Sequence, residues 1–287
     1  MTAAGRNWKT LLAGGGARLA QAGIAEAENK LRWVAAHLLD CGLLDVLHRL
    51  AACPPPELAR EFEAAVARLE KDEPVQYVIG ETDFMGVKIR CDARALIPRP
   101  ETEVLAACAE DFLRGRPAPV VVDVCTGTGC IACALAKRVP GARIAATDIS
   151  SAALDLAREN ARRLGVEVEF AQADLLAGVA AASVDLVVSN PPYVPSAECE
   201  RLDRTVRDFE PRLALDGGPD GLRLISRLVS EAACVLKSTG RLMLEIGEDQ
   251  AGAVTEILCQ TPPLQLLNLK SDCAGKPRVA IAARMPR

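Results

Sequence analysis

Ten residues mark the start of the predicted fold: Val120-Val121-Val122-Asp123-Val124-Cys125-Thr126-Gly127-Thr128-Gly129. Their apolar first half is typical of a strand that is buried on both faces. The second half is a turn with two glycines, and the apolar segment after it predicts a helix to Val139. Glycine lets the backbone approach a ligand closely, and a helix N-terminus offers unpaired N–H groups. The stretch therefore predicts a ligand site between a strand and a helix.

Strands and helices continue to alternate after this turn. Strands are predicted at 143–148, 166–171, 184–189, 241–246, 264–269 and 278–283, and helices at 151–164, 222–236 and 249–259. This alternation is typical of a parallel sheet with helices on both faces. No helix separates the last two strands, so we expect them to pair antiparallel. The fold class is α/β, with a Rossmann-like sheet of seven strands.

The N-terminal part is predicted to be a helical domain, residues 1–73, because apolar residues recur at helical spacing in 25–39 and 57–71. Gly14, Gly15 and Gly16 each destabilise a helix by up to about 1 kcal/mol, so we expect the first helix to be interrupted there. Residues 75–79 and 84–91 are predicted to form a β-hairpin inside a linker, 74–98. The second domain is then 99–287, where Thr102 or a neighbour is expected to cap a helix.

Composition narrows the function. The net charge of −4 over 287 residues gives no overall positive field, so we expect no stable binding of nucleic acid. The 11 cysteines are scattered through apolar segments and no secretory signal is recognisable, which indicates reduced thiols and a cytoplasmic location. Cys130 and Cys133 are predicted to be core residues rather than metal ligands. No segment is apolar enough to span a bilayer, and we expect a monomer without metal or membrane contact.

Three carboxylates lie at or just after the ends of successive predicted strands: Asp123, Asp148 and Asp174. Open α/β sheets bind ligands at the carboxyl ends of their strands, so these side chains are expected to lie close together. Asp148 suits a ribose diol, which both NAD and S-adenosylmethionine carry. Asp123 favours S-adenosylmethionine, because a carboxylate there attracts a cationic amino-acid tail and repels a pyrophosphate. Asp174 can accept a hydrogen bond from an adenine amine.

The fourth strand of this domain ends in an unusual segment, Asn190-Pro191-Pro192-Tyr193. Proline ends the strand, and the residue before each proline is held extended. The result is a stiff edge that presents an amide side chain, free backbone carbonyls and an aromatic ring. Such an edge suits a planar NH2 group, which needs acceptors in its plane.

Several segments together resemble the release factor glutamine methyltransferase family, of the PrmC/HemK type. In chain order they are 73–80, Phe84, 96–103, 123–129, 190–193, 209–211 and 278–279. The resemblance implies a methyltransferase that uses S-adenosylmethionine and an N-terminal helical domain that helps to grip the substrate. It also implies that the substrate is the glutamine amide in the Gly-Gly-Gln loop of peptide chain release factors.

The site residues follow from the motifs and this resemblance. For the cofactor we predict Asp123, Cys125, Thr126, Gly127, Thr128, Gly129, Asp148, Asp174, Leu175 and Asn190, with Cys125 where the family often has glycine and Leu175 where it often has an aromatic residue. For the substrate we predict Asn190, Pro191, Pro192, Tyr193, Phe84 and Arg99, and Glu103 is a candidate for the sulfonium side.

We hypothesise that Asn190 and Pro191 hold the reacting nitrogen. The side-chain oxygen of Asn190 and the carbonyl of Pro191 would accept the two amide hydrogens, while Tyr193 packs on the amide plane. Both histidines, His37 and His48, lie in the predicted helical domain, which agrees with a reaction that needs no general base.

Three other functions remain open at this point. An adenine-N6 methyltransferase on DNA or RNA presents the same kind of NH2 group but needs a positive surface for its substrate. An NAD-dependent oxidoreductase explains the glycine turn and Asp148 and leaves Asn190-Pro191-Pro192-Tyr193 without a role. A non-catalytic binding protein of the same fold is the third alternative.

Overall fold

A computed structural model describes residues 6–285. The described chain divides into two compact units. The first contains the residues up to Glu81 together with Asp203–Phe209, and the second contains Thr82–Leu202 and the residues from Glu210 onward. No helix in the described part of the chain is both long and apolar enough to cross a membrane.

Helices and strands are numbered separately in chain order. Over residues 6–285 the helices are α1 Trp8–Gln21, α2 Ala27–Leu38, α3 Leu43–His48, α4 Pro56–Leu69, α5 Val75–Ile79, α6 Pro100–Leu113, α7 Cys130–Arg138, α8 Ser151–Leu164, α9 Ser196–Cys199, α10 Arg204–Arg207, α11 Arg223–Val235 and α12 Ala251–Cys259, with a 3-10 turn at Arg212–Ala214. The strands are β1 Glu81–Phe84, β2 Val87–Arg90, β3 Val120–Val124, β4 Arg143–Asp148, β5 Glu169–Gln172, β6 Val184–Ser189, β7 Leu236–Glu245, β8 Leu264–Ser271 and β9 Pro277–Arg284.

The core of the first unit is built by α1, α2 and α4. Trp8 and Phe62 are almost fully buried and meet edge to face, with ring centroids 5.5 Å apart. Asn7 caps α1, because its side-chain oxygen accepts a hydrogen bond from the Thr10 amide at 3.0 Å. These contacts give the helical unit an apolar core of its own.

The expected interruption of α1 is wrong, since the helix runs unbroken through Gly14, Gly15 and Gly16. Gly15 is buried, and a Cβ atom at this position would lie only 3.2 Å from Val66 and 3.3 Å from Leu31. The missing side chain therefore lets α1 approach α2 and α4 closely. Close packing of the three helices offsets the low helix propensity of glycine.

The predicted strand at 75–79 is also wrong, because these residues form α5. Pro74 precedes the helix and Gly80 ends it in the left-handed conformation, with φ of +86°. Val75 and Tyr77 are buried. An apolar run of five residues is too short to distinguish the repeat of a strand from the repeat of a helix. The hairpin is formed by β1 and β2 instead, and its turn residues Met85 and Gly86 both have positive φ, as a tight hairpin requires.

The second unit contains the predicted seven-stranded sheet, in the order β5-β4-β3-β6-β7-β9-β8. The pairs from β5 to β7 are parallel, and β9 runs antiparallel to both β7 and β8, which confirms the α/β fold class and the last strand pair. In the register, Val124 lies opposite both Thr147 and Ser189. The carboxyl ends of β3, β4 and β6 are therefore level with one another.

Helices cover both faces of this sheet. One apolar cluster joins the sheet to α6, α7 and α8, and a second joins it to α11 and α12. Cys130 and Cys133 are buried in the first cluster, so their predicted place in the core is confirmed. Strand β7 starts at Leu236, five residues before its predicted start, because it continues directly from α11.

Candidate active site

A cavity of about 380 Å³ lies in the second unit, at the carboxyl ends of the parallel strands. This is where open α/β sheets bind ligands, and the volume is in the range of small-molecule sites. Its walls bring together ten of the predicted site residues: Arg99, Cys125, Thr126, Gly127, Thr128, Asp148, Asp174, Leu175, Asn190 and Pro192. Six other predicted residues do not line it: Phe84, Glu103, Asp123, Gly129, Pro191 and Tyr193.

The glycine turn after β3 forms one wall. Cys125, Gly127 and Gly129 all have positive φ, and the Gly127 amide donates to Asp148 Oδ2 at 2.9 Å. A Cβ atom on Gly129 would lie 2.9 Å from the Cβ of Ala157, so this glycine allows α7 and α8 to pack closely. Gly129 therefore serves helix packing, and its predicted cofactor contact is not supported.

Asp123 lies behind this wall and is fully buried. Its Oδ2 accepts from the Thr126 hydroxyl at 2.6 Å and from the Ala132 amide at 3.2 Å, whereas its Oδ1 has no hydrogen-bond partner. Burial raises the pKa of this carboxyl to about 7, although the two hydrogen bonds oppose the rise. An unpaired buried carboxylate oxygen is unfavourable unless a donor or a cation reaches it. Asp123 does not line the cavity, and its contact with the ammonium end of an amino-acid ligand remains a prediction.

The lining of the cavity also includes the other two predicted carboxylates. Asp148 Oδ1 accepts from the Ser150 amide at 2.9 Å, and burial raises the pKa of Asp148. Asp174 is exposed and pairs with Arg227 at 2.9 Å. Leu175 has a φ of +53° and is buried at the cavity wall, where its backbone oxygen accepts from Thr147. The ends of β3, β4 and β5 therefore place hydrogen-bond acceptors and an apolar side chain around the same cavity.

Asn190 stands at the cavity edge and is held by a chain of buried polar groups. Its Nδ2 donates to Thr102 Oγ1 at 3.0 Å, and Thr102 Oγ1 donates to Glu245 Oε2 at 2.7 Å. Thr102 and Glu245 are 2% and 1% exposed. The sequence predicts Thr102 or a neighbour as the cap of α6, but Thr102 lies inside the first turn, because Pro100 starts the helix and Arg99 occupies the cap position.

Tyr193 differs from its predicted role. Its ring packs against the apolar cluster beneath α11 and α12, and its hydroxyl donates to Glu245 Oε1 at 3.1 Å. Burial and the nearby Glu245 charge raise the pKa of the phenol. The tyrosine therefore supports Glu245 from the core side and does not present its ring to the cavity.

Arg99 reaches the cavity but is already engaged. Its guanidinium pairs with Glu210, which is 4% exposed and also accepts from the Ile97 amide at 3.0 Å. Burial raises the pKa of Glu210, and Arg99 opposes that rise. The pair fastens the segment before α6 to the segment around Glu210.

Two further residues of the sequence prediction lie away from the cavity. Phe84 is 1% exposed within the core, so a role at the substrate entrance is not supported. Glu103 accepts from the Met85 amide at 2.7 Å and holds the hairpin turn, and it does not line the cavity.

Glu245 and Asn160 were not predicted from the sequence, and Glu210 was named only within the segment 209–211, without a role. Glu245 is the last residue of an apolar strand, at the edge of the sheet where the cavity lies. A carboxylate at the end of such a strand is a signal of a site residue that the sequence contains. Asn160 is fully buried on α8, where its amide bonds the backbone of Arg90 and Thr128. No sequence pattern marks Asn160, because its partners are backbone groups from distant segments.

Comparison with known proteins agrees with this architecture. Residues 102–218 match the family described as methyltransferase small domain, and residues 10–80 match the family described as PrmC N-terminal domain. A solved methyltransferase structure from Pyrococcus furiosus aligns with a TM-score of 0.52 and 18% identity, over 70% of this chain and 90% of that one. The family matches and the fold together give the class of protein, a methyltransferase with a seven-stranded α/β sheet.

Closer relatives identify the family. A release factor glutamine methyltransferase of Enterococcus faecalis is 39% identical, over 79% of this chain and 82% of its own length. Another of Cereibacter sphaeroides is 41% identical, over 94% of this chain and 95% of its own length. The chain belongs to the release factor glutamine methyltransferase family.

Proposed function

We propose that the chain transfers a methyl group from S-adenosyl-L-methionine to the side-chain amide nitrogen of the glutamine in the Gly-Gly-Gln motif of peptide chain release factors. The observation that carries this proposal is the fixed amide of Asn190 at the cavity edge, with its nitrogen bonded to Thr102. Its oxygen is thereby directed to accept a hydrogen from a substrate NH2 group. The family of the chain supports a glutamine amide as that group.

Four residues would hold the cofactor. The unpaired Oδ1 of Asp123 suits the ammonium group, Asp148 suits the ribose hydroxyls, and Leu175 and Asp174 suit the adenine face and amine. Asp148 already accepts two backbone bonds but keeps lone pairs for hydroxyl donors. When bound, S-adenosylmethionine supplies an electrophilic methyl group on sulfur.

The protein's contribution to the reaction is orientation. An amide nitrogen is a weak nucleophile because its lone pair is delocalised into the carbonyl. Asn190 lines the cavity, and its Oδ1 would accept one of the two hydrogens of this nitrogen, which helps to fix the nitrogen and favours the positive charge that it acquires. The Pro191 carbonyl remains the predicted acceptor of the other hydrogen, although Pro191 does not line the cavity. A carbon–nitrogen bond forms as the carbon–sulfur bond breaks, and one proton leaves the nitrogen for water.

The test is to map the site of methylation. The chain is incubated with methyl-labelled S-adenosylmethionine and a purified release factor, and the modified residue is identified by mass spectrometry. We expect label on the glutamine of the Gly-Gly-Gln motif and none on a release factor whose glutamine is changed to alanine. Label on another residue, or label on duplex DNA offered in the same assay, would contradict the proposal.

A further inference from the structure

A chain of buried polar groups connects the end of β7 to the edge of the cavity. Glu245 accepts from Thr102 through one carboxylate oxygen and from Tyr193 through the other, and Thr102 in turn accepts from Asn190. The register pairs Ser189 of β6 with Leu244 of β7, so Asn190 and Glu245 follow side by side. Helix α6 contributes Thr102 between them.

The chain has a direction, because each hydroxyl has only one proton. An ionised carboxylate can only accept, so both Thr102 and Tyr193 direct their protons to Glu245. Thr102 Oγ1 then has only lone pairs left for Asn190. It must accept from the amide nitrogen, and the amide oxygen must point away from Thr102.

These hydrogen bonds determine the orientation of the Asn190 amide, because packing alone cannot set it. The oxygen and nitrogen of an amide have almost the same size and shape, and only hydrogen bonding distinguishes the two orientations. In the reverse orientation Asn190 would present its own NH2 group to the substrate NH2. Two donors would then meet, and the substrate nitrogen would lose an acceptor.

We propose that Glu245 and Thr102 are positioning residues that hold the Asn190 amide with its oxygen toward the substrate. The inference rests on the proposed function, because the need for an acceptor comes from an NH2 substrate. Thr102 lines the cavity beside Asn190 and Glu245 does not, and neither residue is needed to transfer a proton. Their effect on the reaction passes through the orientation of Asn190.

Protonation of Glu245 would weaken this control. A protonated carboxyl can donate to Thr102, which frees the Thr102 proton to bond the Asn190 oxygen and reverse the amide. Burial is the largest cause that raises the pKa of Glu245, to about 7; Glu101 of α6 adds to the rise, whereas Arg278 of β9 and the hydroxyls of Thr102 and Tyr193 oppose it. The turnover rate at saturating cofactor should therefore rise as the pH increases through about 7.

The test compares variants of Thr102 in methylation of a purified release factor. Thr102→Val keeps the shape but removes the hydroxyl, and we expect kcat to fall on the order of 10-fold to 100-fold, as when an orienting partner is lost. Thr102→Ser should recover most of that loss. The matched control is Thr255→Val in α12, whose hydroxyl donates to the carbonyl of Ala251 in its own helix. Its kcat should equal that of the unchanged chain.

A second variant tests whether the charge of Glu245 affects turnover through the orientation of Asn190 and not through the folding of the chain. Glu245→Gln keeps the shape and cannot ionise, so its kcat should be lower and should no longer rise through about pH 7. Thermal unfolding and the affinity for S-adenosylmethionine are measured for every variant. A full kcat in Thr102→Val, an equal loss in Thr102→Ser, or an unchanged pH profile in Glu245→Gln would overturn the inference. An unchanged chain that leaves release factors unmethylated would overturn the proposed function itself.

Discussion

At the scale of single residues, the site depends on buried carboxylates whose partners are incomplete or shared. Asp123 has one oxygen without a hydrogen-bond partner, and Glu245 divides its two oxygens between Thr102 and Tyr193. Both carboxyls are almost fully buried. Burial disfavours their charged forms, which is why both have a pKa of about 7. Each carboxylate therefore makes one step of the proposed function sensitive to pH near neutrality.

Asp123 gives a prediction for cofactor binding. Its raised pKa of about 7 means that the carboxyl is protonated below that pH, and only the ionised form attracts an ammonium group. The affinity for S-adenosylmethionine should therefore increase as the pH rises from about 5.5 to 7.5. Calorimetry near pH 6, in two buffers of different ionisation enthalpy, should detect a proton released on binding.

The control for this prediction is Asp123→Asn, which has a similar shape and does not titrate. Its affinity should be weaker and should not change over the same pH range. A constant dissociation constant for the unchanged chain, with no proton released, would show that Asp123 does not face the ammonium group.

A variant of Tyr193 tests whether its hydroxyl acts through Glu245 or directly in the reaction. The phenol donates to Glu245, and this bond holds the pKa of Glu245 lower than burial alone would. Tyr193→Phe keeps the ring and removes the donor. The rise of kcat with pH should therefore shift to higher pH, while kcat on the plateau changes little because Thr102 still bonds Glu245. A pH profile that stays in place, with a large loss on the plateau, would indicate a direct role of the hydroxyl in the reaction.

At the scale of secondary-structure elements, local sequence and packing disagree in two places. The residues Val75–Ile79 favour a strand by composition, yet they form a helix between Pro74 and Gly80. Glycines 14–16 favour a break, yet α1 continues because Gly15 lies against α2 and α4. Contacts from elsewhere in the first unit decide both cases, and a local pattern cannot contain them.

The glycines of α1 give a prediction for stability. Gly14 is exposed with nothing within 4 Å of a Cβ atom, so Gly14→Leu should stabilise the helix by up to about 1 kcal/mol. The same substitution at Gly15 places a side chain against Val66 and Leu31 and should destabilise the chain by about 1–3 kcal/mol or more. Urea unfolding of the two variants measures the difference. Equal stability of both variants would mean that α1 does not pack closely at Gly15.

At the scale of the whole molecule, the sheet could be predicted and the polar network could not. The alternation of apolar runs from Val120 onward predicts the seven strands, and the rule for open sheets places Asp148, Asp174 and Asn190 at one edge. The hydrogen bond that Thr102 donates to Glu245 joins residues 143 positions apart, so only the folded chain reveals it.

The division of the chain into two units could not be predicted from the sequence either. Asp203–Phe209 belongs to the compact unit that contains the N-terminal helices, although it lies between β6 and α11 in the sequence. No periodicity in this segment indicates that assignment. The predicted boundaries at residues 73 and 98 remain predictions. The N-terminal segment of the first unit ends at Glu81.

The role of Asn190 is tested by the turnover of Asn190→Ala with a purified release factor, with the affinity for S-adenosylmethionine measured on the same protein. We expect kcat to fall on the order of 100-fold or more, because the substrate nitrogen loses its oriented acceptor, while S-adenosylmethionine still binds. A kcat equal to that of the unchanged chain would contradict the assignment of Asn190 as the residue that holds the glutamine amide.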